Sequence, residues 1–275
     1  MLLQMHWDVD PTIFRLGPLA PRWYGLLFAL GFLIGFYLMQ RVFRREGKPG
    51  QDLDFLLLYL LGGTVIGARL GHVLFYAPGY YLLRPFEIIA IWEGGLASHG
   101  GLIGVLLAIW LYCRRREDQP FVWLLDRLAA PVALTGALIR LGNFFNSEIL
   151  GVPTDLPWGV VFERAARLRS DIEAVALHPV QMYESISYAL IAALLWTLYR
   201  RYGADTPRGL LVGLFMTLIF GARIVLETFK REQAHFEVGL PLSMGQLLSV
   251  PAVLFGLWLL WRAYRASSGP APATA

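Results

Sequence analysis

The sequence predicts an all-α protein that crosses a membrane several times. Of its 275 residues, 56% are hydrophobic and only 16% are charged. The apolar residues fall into separate blocks, each close to the ~20 residues that a helix needs to span a bilayer. Such a composition, divided into blocks of this length, is typical of a polytopic membrane protein.

We expect seven spanning helices, one for each apolar block. In chain order they cover residues 22–41, 52–76, 96–113, 121–143, 180–200, 208–228 and 243–262. They form a single transmembrane domain over residues 1–266, and the remaining residues, 267–275, are rich in Ser, Gly, Pro and Ala and should be disordered. In the second span, Gly63, Gly67 and Gly71 are spaced for close contact with another helix.

Basic residues set the predicted orientation, because cytoplasmic loops of membrane proteins are enriched in Lys and Arg. They gather after the first, third, fifth and seventh spans, at Arg41, Arg44, Arg45, Lys48, Arg114, Arg115, Arg116, Arg200, Arg201, Arg208, Arg262 and Arg265. These segments are predicted to be cytoplasmic, which places the N-terminus on the outer side of the membrane and the C-terminus in the cytoplasm. The basic character of the chain reflects these loops, so we expect no nucleic-acid partner.

The longest segment on the outer side, about 144–179, is predicted to form a small ordered cap. It contains Pro153, Pro157 and Pro179, the aromatic residues Trp158 and Phe162, and charges of both signs. The first twenty residues lack the basic and apolar regions of a cleaved signal peptide, so the first span itself is expected to direct insertion.

Polar residues near the outer ends of the spans predict a functional site, because ionisable groups at membrane depth are costly and usually face a protein interior. The predicted topology brings several of them to one level: Tyr24, Arg69, His99, Arg140, Asn143, Gln181, Tyr183, Glu184, Arg223 and Glu227. We therefore expect a single site that opens towards the outer leaflet.

Three arginines in this layer, Arg69, Arg140 and Arg223, indicate an anionic ligand, since guanidinium binds phosphate or carboxylate through a rigid fork. A phospholipid head group is the nearest abundant anion. The alternatives are an internal salt bridge for Arg140, an i,i+4 ion pair of Arg223 with Glu227, and a guanidinium of Arg69 that merely reaches the head groups.

His99 is the candidate general base. Ser98 is a plausible N-cap, and a helix N-terminus disfavours imidazolium, which leaves a neutral ring able to accept a proton. The alternative is a packed histidine, and His178, which precedes Pro179, is interpreted as a capping residue. The five histidines show no ligand spacing, and the single cysteine, Cys113, is interpreted as a small apolar residue rather than a reactive thiol. No metal site and no dissociable cofactor are predicted.

Seven sequence pieces, in order, resemble those of bacterial prolipoprotein diacylglyceryl transferases, and together they cover nearly the whole chain. They are Arg22–Gly25, Gly67–Tyr76, Trp92–Gly101, Arg140–Gly151, His178–Glu184, Gly221–Glu227 and Ser243–Gln246. The resemblance implies an inner-membrane enzyme with its active site towards the periplasmic leaflet. Its substrates would be phosphatidylglycerol and the lipobox cysteine in the signal peptide of a prolipoprotein. It would move the diacylglyceryl group to the cysteine sulfhydryl and release glycerol 1-phosphate, as the first step of lipoprotein maturation.

The resemblance also assigns roles. As catalytic positions we expect His99, Arg140, Glu148, Arg223 and Glu227. As substrate-binding positions we expect Tyr24, Arg69, Arg140, Asn143, Asn146, Gly151 and Tyr183. Gly151 would contribute a backbone angle or a close approach.

The chain departs from the family pattern around Gly151, where Leu150 and Val152 stand in place of the usual Trp and Arg, and Arg164 is the candidate to supply the missing guanidinium. The piece after the sixth span, Phe229–Gln233, also departs from the usual Arg-Gln-Pro. The main alternative function is a lipid transporter or flippase. Such folds carry internal repeats and helices broken at the bilayer midplane, and neither is evident in the sequence.

Overall fold

The computed structural model describes residues 4–17, 19–170, 172–231 and 242–268, with all their side chains except those of residues 93, 267 and 268. Within these ranges the chain is mostly helical. The α-helices are α1 (Trp23–Arg45), α2 (Gly50–Phe75), α3 (Pro78–Leu83), α4 (Ser98–Cys113), α5 (Phe121–Phe145), α6 (Glu163–Leu168), α7 (Val180–Tyr202), α8 (Leu210–Leu226) and α9 (Met244–Ser268). Short 3-10 turns cover Pro85–Ile89, Ile91–Glu93, Gly203–Asp205 and Glu227–Phe229.

A helix occupies each of the seven predicted positions, and five of these helices are long and apolar enough to cross a membrane. They are α1, α2, α5, α8 with its 3-10 extension to Phe229, and α9. Helix α4 is apolar but has only 16 residues. Helix α7 has 23 residues, but its first two turns carry Gln181, Glu184 and Ser185, which lower its apolar content. The chain is thus a helical membrane protein, while the count of seven spans and their orientation stay predictions.

The all-α prediction is wrong in one part, because the chain also forms a small three-stranded sheet. Its strands are β1 (Met5–Trp7), β2 (Val160–Phe162) and β3 (Ala176–Leu177), with β2 in the middle. Strand β1 is parallel to β2, and β3 is antiparallel to it. The strands have two or three residues each, too few for an alternating pattern to indicate them in the sequence.

The sheet belongs to an ordered apolar core in the segment 144–179. The core contains Phe144, Leu150, Val160, Phe162, Ala165, Ile172 and Leu177, with Trp7 and Met182 packed against it. All three residues of β2 are buried, so this strand has no polar face that could reveal it. Of the predicted tail, residues 269–275 lie outside the described residues, and 267 and 268 end α9.

The chain forms two compact units, Met1–Leu38 with Asp126–Ala275, and Met39–Leu125. A single domain over residues 1–266 stays a prediction. In the smaller unit α2 packs against α4. A Cβ added to Gly67 would lie 2.5 Å from the carbonyl oxygen of Gly100, and one added to Gly71 would lie 2.7 Å from Gly100 Cα. The predicted close helix contact along this glycine series is confirmed.

In the larger unit α8 packs against α7 and α9. The N-terminus of α8 is capped by a residue of another helix, Asp126 of α5. Its carboxylate accepts the backbone N–H groups of Gly209 at 2.7 Å and Val212 at 2.9 Å, and Asp126 is completely buried. The first N–H groups of a helix have no partner within the helix, so this carboxylate joins α5 to α8.

Candidate active site

Five charged side chains of the larger unit form a chain of alternating sign, which we call the ionic cluster. Arg140 Nε of α5 lies 3.0 Å from Glu184 Oε2 of α7, and Lys230 Nζ lies 2.9 Å from Glu184 Oε1. The same Nζ lies 2.8 Å from Glu227 Oε2, which is also 3.7 Å from Arg223 Nε of α8. Three cations and two carboxylates give the cluster a formal charge of +1.

The centre of the ionic cluster is buried and its two ends are more open. The side chains of Glu184 and Lys230 are 0% and 3% exposed, against 17% for Arg140 and 34% for Arg223. A buried charge is tolerated only when it is paired, which explains why both carboxylates at the centre contact Lys230. The excess positive charge therefore lies towards the arginine ends, where a ligand can reach it.

The guanidinium groups at both ends keep capacity for an anion. Arg140 Nε and Glu184 Oε2 are close enough for an ion pair, but they lack the alignment of a hydrogen bond. Among the described residues, Arg223 Nε has no hydrogen-bond partner. The sequence analysis gave internal salt bridges as alternatives to anion binding for Arg140 and Arg223, and the structure shows that both salt bridges are present. They use the Nε side of each guanidinium and do not exclude a ligand.

A strained turn folds Glu148 back towards the end of α5. Ser147 and Ile149 have φ of 54° and 56°, a left-handed conformation that costs non-glycine residues roughly 1–2 kcal/mol each. Asn143 Nδ2 donates to Glu148 Oε2 at 2.8 Å, and Asn146 Nδ2 donates to Oε1 at 3.1 Å. The same Asn143 offers its Oδ1 to Arg140 Nη1 at 3.5 Å. This asparagine links the Glu148 turn to the ionic cluster.

Gly151 is required for a close approach. Its φ lies outside the left-handed region, while an added Cβ would lie 2.8 Å from His178 Cβ and would overlap the His178 carbonyl oxygen. On its other side Gly151 pairs with Lys230 in an antiparallel bridge, with Val152 N–H donating to the Phe229 carbonyl at 2.9 Å. Of the two roles considered for Gly151, the structure shows the close approach. Its role in substrate binding stays a prediction.

The N-terminus of α9 makes room for Glu227. A Cβ added to Gly245 would lie 2.5 Å from Glu227 Cδ and would overlap its carboxylate. Ser243 and Gln246 hold this end of the helix in a reciprocal capping arrangement, Ser243 N–H to Gln246 Oε1 at 3.1 Å and Gln246 N–H to Ser243 Oγ at 3.2 Å. The Ser243–Gln246 piece thus caps α9 and leaves space for the Glu227 carboxylate of the ionic cluster.

Two tyrosines predicted to bind substrate lie in the larger unit. Tyr24 of α1 packs on Gly142, where an added Cβ would lie 2.9 Å from Tyr24 Cδ2. The hydroxyl of Tyr183 accepts a hydrogen bond from Trp158 Nε1 at 2.8 Å and lies 3.3 Å from His178 Nδ1. Their contact with a substrate stays a prediction.

Sequence reasoning missed the centre of the ionic cluster. The sequence places Glu184 only among the polar residues of the outer layer, and it gives Lys230 no place in the site. The i,i+3 spacing of Glu227 and Lys230 was the available signal. The contact of Lys230 with Glu184, 46 residues away, is visible only in the tertiary structure.

Arg69 belongs to the smaller unit and is 4% exposed, so the alternative of a guanidinium that reaches the head groups is wrong. It donates to the backbone carbonyls of Glu87 at 2.5 Å, Ile88 at 2.9 Å, Gly94 at 2.5 Å and Gly95 at 3.2 Å. Through these hydrogen bonds Arg69 holds the segment between α3 and α4 in place. Its role in substrate binding stays a prediction.

His99 also belongs to the smaller unit. Its exposed ring packs against Phe75 and Tyr76, with ring centroids 5.5 and 5.7 Å away. The prediction of Ser98 as N-cap is wrong, because α4 begins at Ser98 and its N-cap is Ala97, without a side-chain hydrogen bond. The role of His99 as a base, and its proximity to the ionic cluster, stay predictions.

One further sequence expectation differs from what the structure shows, and the role of Arg164 stays a prediction. The N-cap of α7 is Pro179, so the interpretation of His178 as the capping residue is wrong; its ring instead packs 4.9 Å from Phe229. Arg164, considered as a replacement for the missing arginine, lies on α6 with Nη1 3.6 Å from Asp10 Oδ2. A hydrogen bond from the Thr12 N–H, together with Arg164, holds the pKa of Asp10 below its ordinary value.

The fold and the site together define a helical membrane protein with a buried, net positive ionic cluster. The sequence profile of the prolipoprotein diacylglyceryl transferases matches residues 11–262. The chain belongs to this family and is a transferase.

Relatives cover almost the whole chain. A phosphatidylglycerol–prolipoprotein diacylglyceryl transferase of Tolumonas auensis is 55% identical, across 93% of this chain and 96% of its own. Proteins of the same name from Chloroherpeton thalassium and Porphyromonas gingivalis are 50% and 46% identical, across 95% and 94% of this chain and the same shares of their own.

Proposed function

We propose that this protein transfers the diacylglyceryl group of phosphatidylglycerol to the sulfhydryl of a lipobox cysteine in a prolipoprotein signal peptide. The observation that carries the proposal is the ionic cluster, whose formal charge of +1 lies towards two arginines suited to a phosphate diester. The names of the relatives supply the two substrate classes.

The reaction is a displacement at the glyceryl carbon that bears the phosphate ester. The cysteine sulfur forms the new C–S bond, the C–O bond to the phosphate breaks, and glycerol 1-phosphate leaves with that electron pair. The thiol proton passes to a base, because a thiol with an ordinary pKa near 8.5 is only slightly ionised at neutral pH. His99 is the proposed base.

The remaining roles follow from charge and contact. Arg140 and Arg223 bind the phosphate and stabilise the negative charge that grows on the departing oxygen. Asn143 and Tyr24 hydrogen-bond the head group. Glu227 orients Arg223, and Glu148, held by Asn143, aligns the polar groups at the end of α5. Further contacts to the lipid come from Asn146, Gly151 and Tyr183, while Arg69 contributes by holding the segment between α3 and α4 in place. No metal or dissociable cofactor is needed, since the lipid already carries the leaving group.

The proposed setting is the bacterial inner membrane, with seven spans, a periplasmic N-terminus and a cytoplasmic C-terminus. The segment 144–179 forms a periplasmic cap, and the active site faces the periplasmic leaflet. Apolar helices of membrane length and the basic segments between them support this arrangement.

The test uses purified protein in detergent, phosphatidylglycerol and a peptide with a lipobox cysteine. We expect glycerol 1-phosphate release that requires the peptide thiol and falls at least about 100-fold in Arg140→Ala, as when a charged transition-state donor is removed. Arg167→Ala is the matched control, because this exposed arginine pairs with Asp8 away from the ionic cluster and should keep full activity. No release from folded protein with intact lipid would favour the lipid transporter.

A further inference from the structure

We infer that Lys230 is a positioning residue that sets the charge of the ionic cluster and so keeps Arg140 and Arg223 available to the phosphate. The inference rests on the proposed function. Its basis is one ammonium group, 3% exposed, that lies 2.9 Å from Glu184 and 2.8 Å from Glu227.

Lys230 gives the ionic cluster its surplus positive charge. With Lys230 there are three cations and two carboxylates, and the surplus positive charge is available to an anionic ligand. Without it, Arg140 faces Glu184 and Arg223 faces Glu227 in two neutral pairs. Buried carboxylates that lose a cationic partner are strongly driven to pair with another. Both arginines would then turn towards protein carboxylates and away from a lipid phosphate.

The backbone around Lys230 explains how the ammonium group reaches this position. The Lys230 N–H donates to the Glu227 carbonyl at 3.1 Å, which closes the 3-10 turn after α8. Gly151 pairs with Lys230 in an isolated antiparallel bridge, and the Arg231 N–H donates to the Leu150 carbonyl at 3.1 Å. Gly151 can occupy this place only because it has no Cβ to meet His178. The glycine that sequence reasoning assigned to the substrate thus also holds the lysine.

A lysine suits the place between the two carboxylates. Its ammonium is a compact charge with three donors, and a single Nζ reaches Glu184 and Glu227 at once. A guanidinium is planar and wider, so Lys230→Arg keeps the charge but must shift one carboxylate. The charge and the shape of this residue can therefore be tested separately.

The test compares Lys230→Met, Lys230→Arg, Glu184→Gln and the double variant Lys230→Met/Glu184→Gln. KM for phosphatidylglycerol, kcat and the thermal midpoint are measured for each, together with binding of phosphatidylglycerol and of uncharged diacylglycerol in nanodiscs. Lys230→Met should raise KM at least about tenfold, comparable to the loss of one charge-assisted hydrogen bond, and should weaken only the binding of the anionic lipid. The double variant restores the formal charge of +1 and should return KM to within about threefold of the parent. Lys230→Arg should keep most of the lipid affinity.

An unchanged KM in Lys230→Met overturns the inference. A double variant that binds the anionic lipid no better than Lys230→Met also overturns it, since the lysine then acts through packing alone. If Lys230→Met does not fold, the double variant is compared with Glu184→Gln, and equal KM values for these two overturn it. If the parent binds phosphatidylglycerol in a Lys230-dependent way but releases no glycerol phosphate, the proposed function fails and the inference stands. If neither turnover nor Lys230-dependent binding is seen, both fail.

Discussion

At the scale of single residues, glycines decide where the charged atoms of the site lie. Gly245 leaves space for the Glu227 carboxylate, and Gly151 lets its chain segment approach both His178 and Lys230. A glycine in a sequence signals several possible roles, from a left-handed turn to close packing. At these two positions the reason is contact, because neither has a positive φ.

Gly245→Ala tests this directly. The new methyl group would lie 2.5 Å from Glu227 Cδ, so the carboxylate must move and its contacts with Lys230 and Arg223 must lengthen. We expect transfer activity to fall at least about tenfold and stability to fall by about 1–3 kcal/mol, the usual cost of overpacking. Glycerol phosphate release and the thermal midpoint are the measurements.

Gly62→Ala is the control for that change. Gly62 lies within α2, and an added Cβ there meets no atom within 4 Å, so activity should be unchanged and the helix slightly more stable. Equal activity of Gly245→Ala and Gly62→Ala would show that the position of the Glu227 carboxylate does not matter.

At the scale of secondary structure, the local sequence predicts where each helix forms, but it does not predict the contacts that join the helices and strands. The apolar blocks indicated where helices form, and the structure has a helix at each predicted place. The capping of α8 by Asp126 of α5 crosses 83 residues of sequence and has no local signal. The same holds for β1, whose partner β2 lies far along the chain.

Asp126→Ala should destabilise the contact between α5 and α8. It removes a buried acceptor of two backbone N–H groups, which should cost about 1–3 kcal/mol. Chemical denaturation in detergent would measure this loss. At low temperature the folded variant should retain its turnover, because Asp126 is not a member of the ionic cluster.

Asp155→Ala, at an exposed acidic residue, is the matched control and should change stability by less than about 0.5 kcal/mol. A stability of Asp126→Ala equal to that of this control would contradict the capping role.

At the scale of the whole molecule, the basic segments predict how the chain is oriented in the membrane. The basic segments predict that Glu117, between α4 and α5, is cytoplasmic and that Asp155 is periplasmic. Both residues are exposed. In a Cys113→Ala background, a membrane-impermeant maleimide applied to right-side-out vesicles should label Asp155→Cys at once. Glu117→Cys should react only after the vesicles are opened, and the reverse pattern would invert the predicted topology.

The sequence by itself determined the membrane class, the places of the helices and most of the charged residues of the site. These features are local, since block length, composition and the spacing of basic residues can be counted along the chain. It also singled out Arg140, Asn143, Glu148, Arg223 and Glu227 as candidates, through the cost of polar groups at membrane depth and the family resemblance. Their catalytic and binding roles stay predictions.

Only the tertiary structure decided which charge pairs with which. Helical periodicity relates residues three or four positions apart, as for Arg223 and Glu227. The contacts of Glu184 with Arg140 and Lys230 instead require α5, α7 and the turn after α8 to meet. A direct ion pair needs its N and O atoms within about 4 Å of each other. It therefore depends on how these elements pack, and no local pattern specifies that packing.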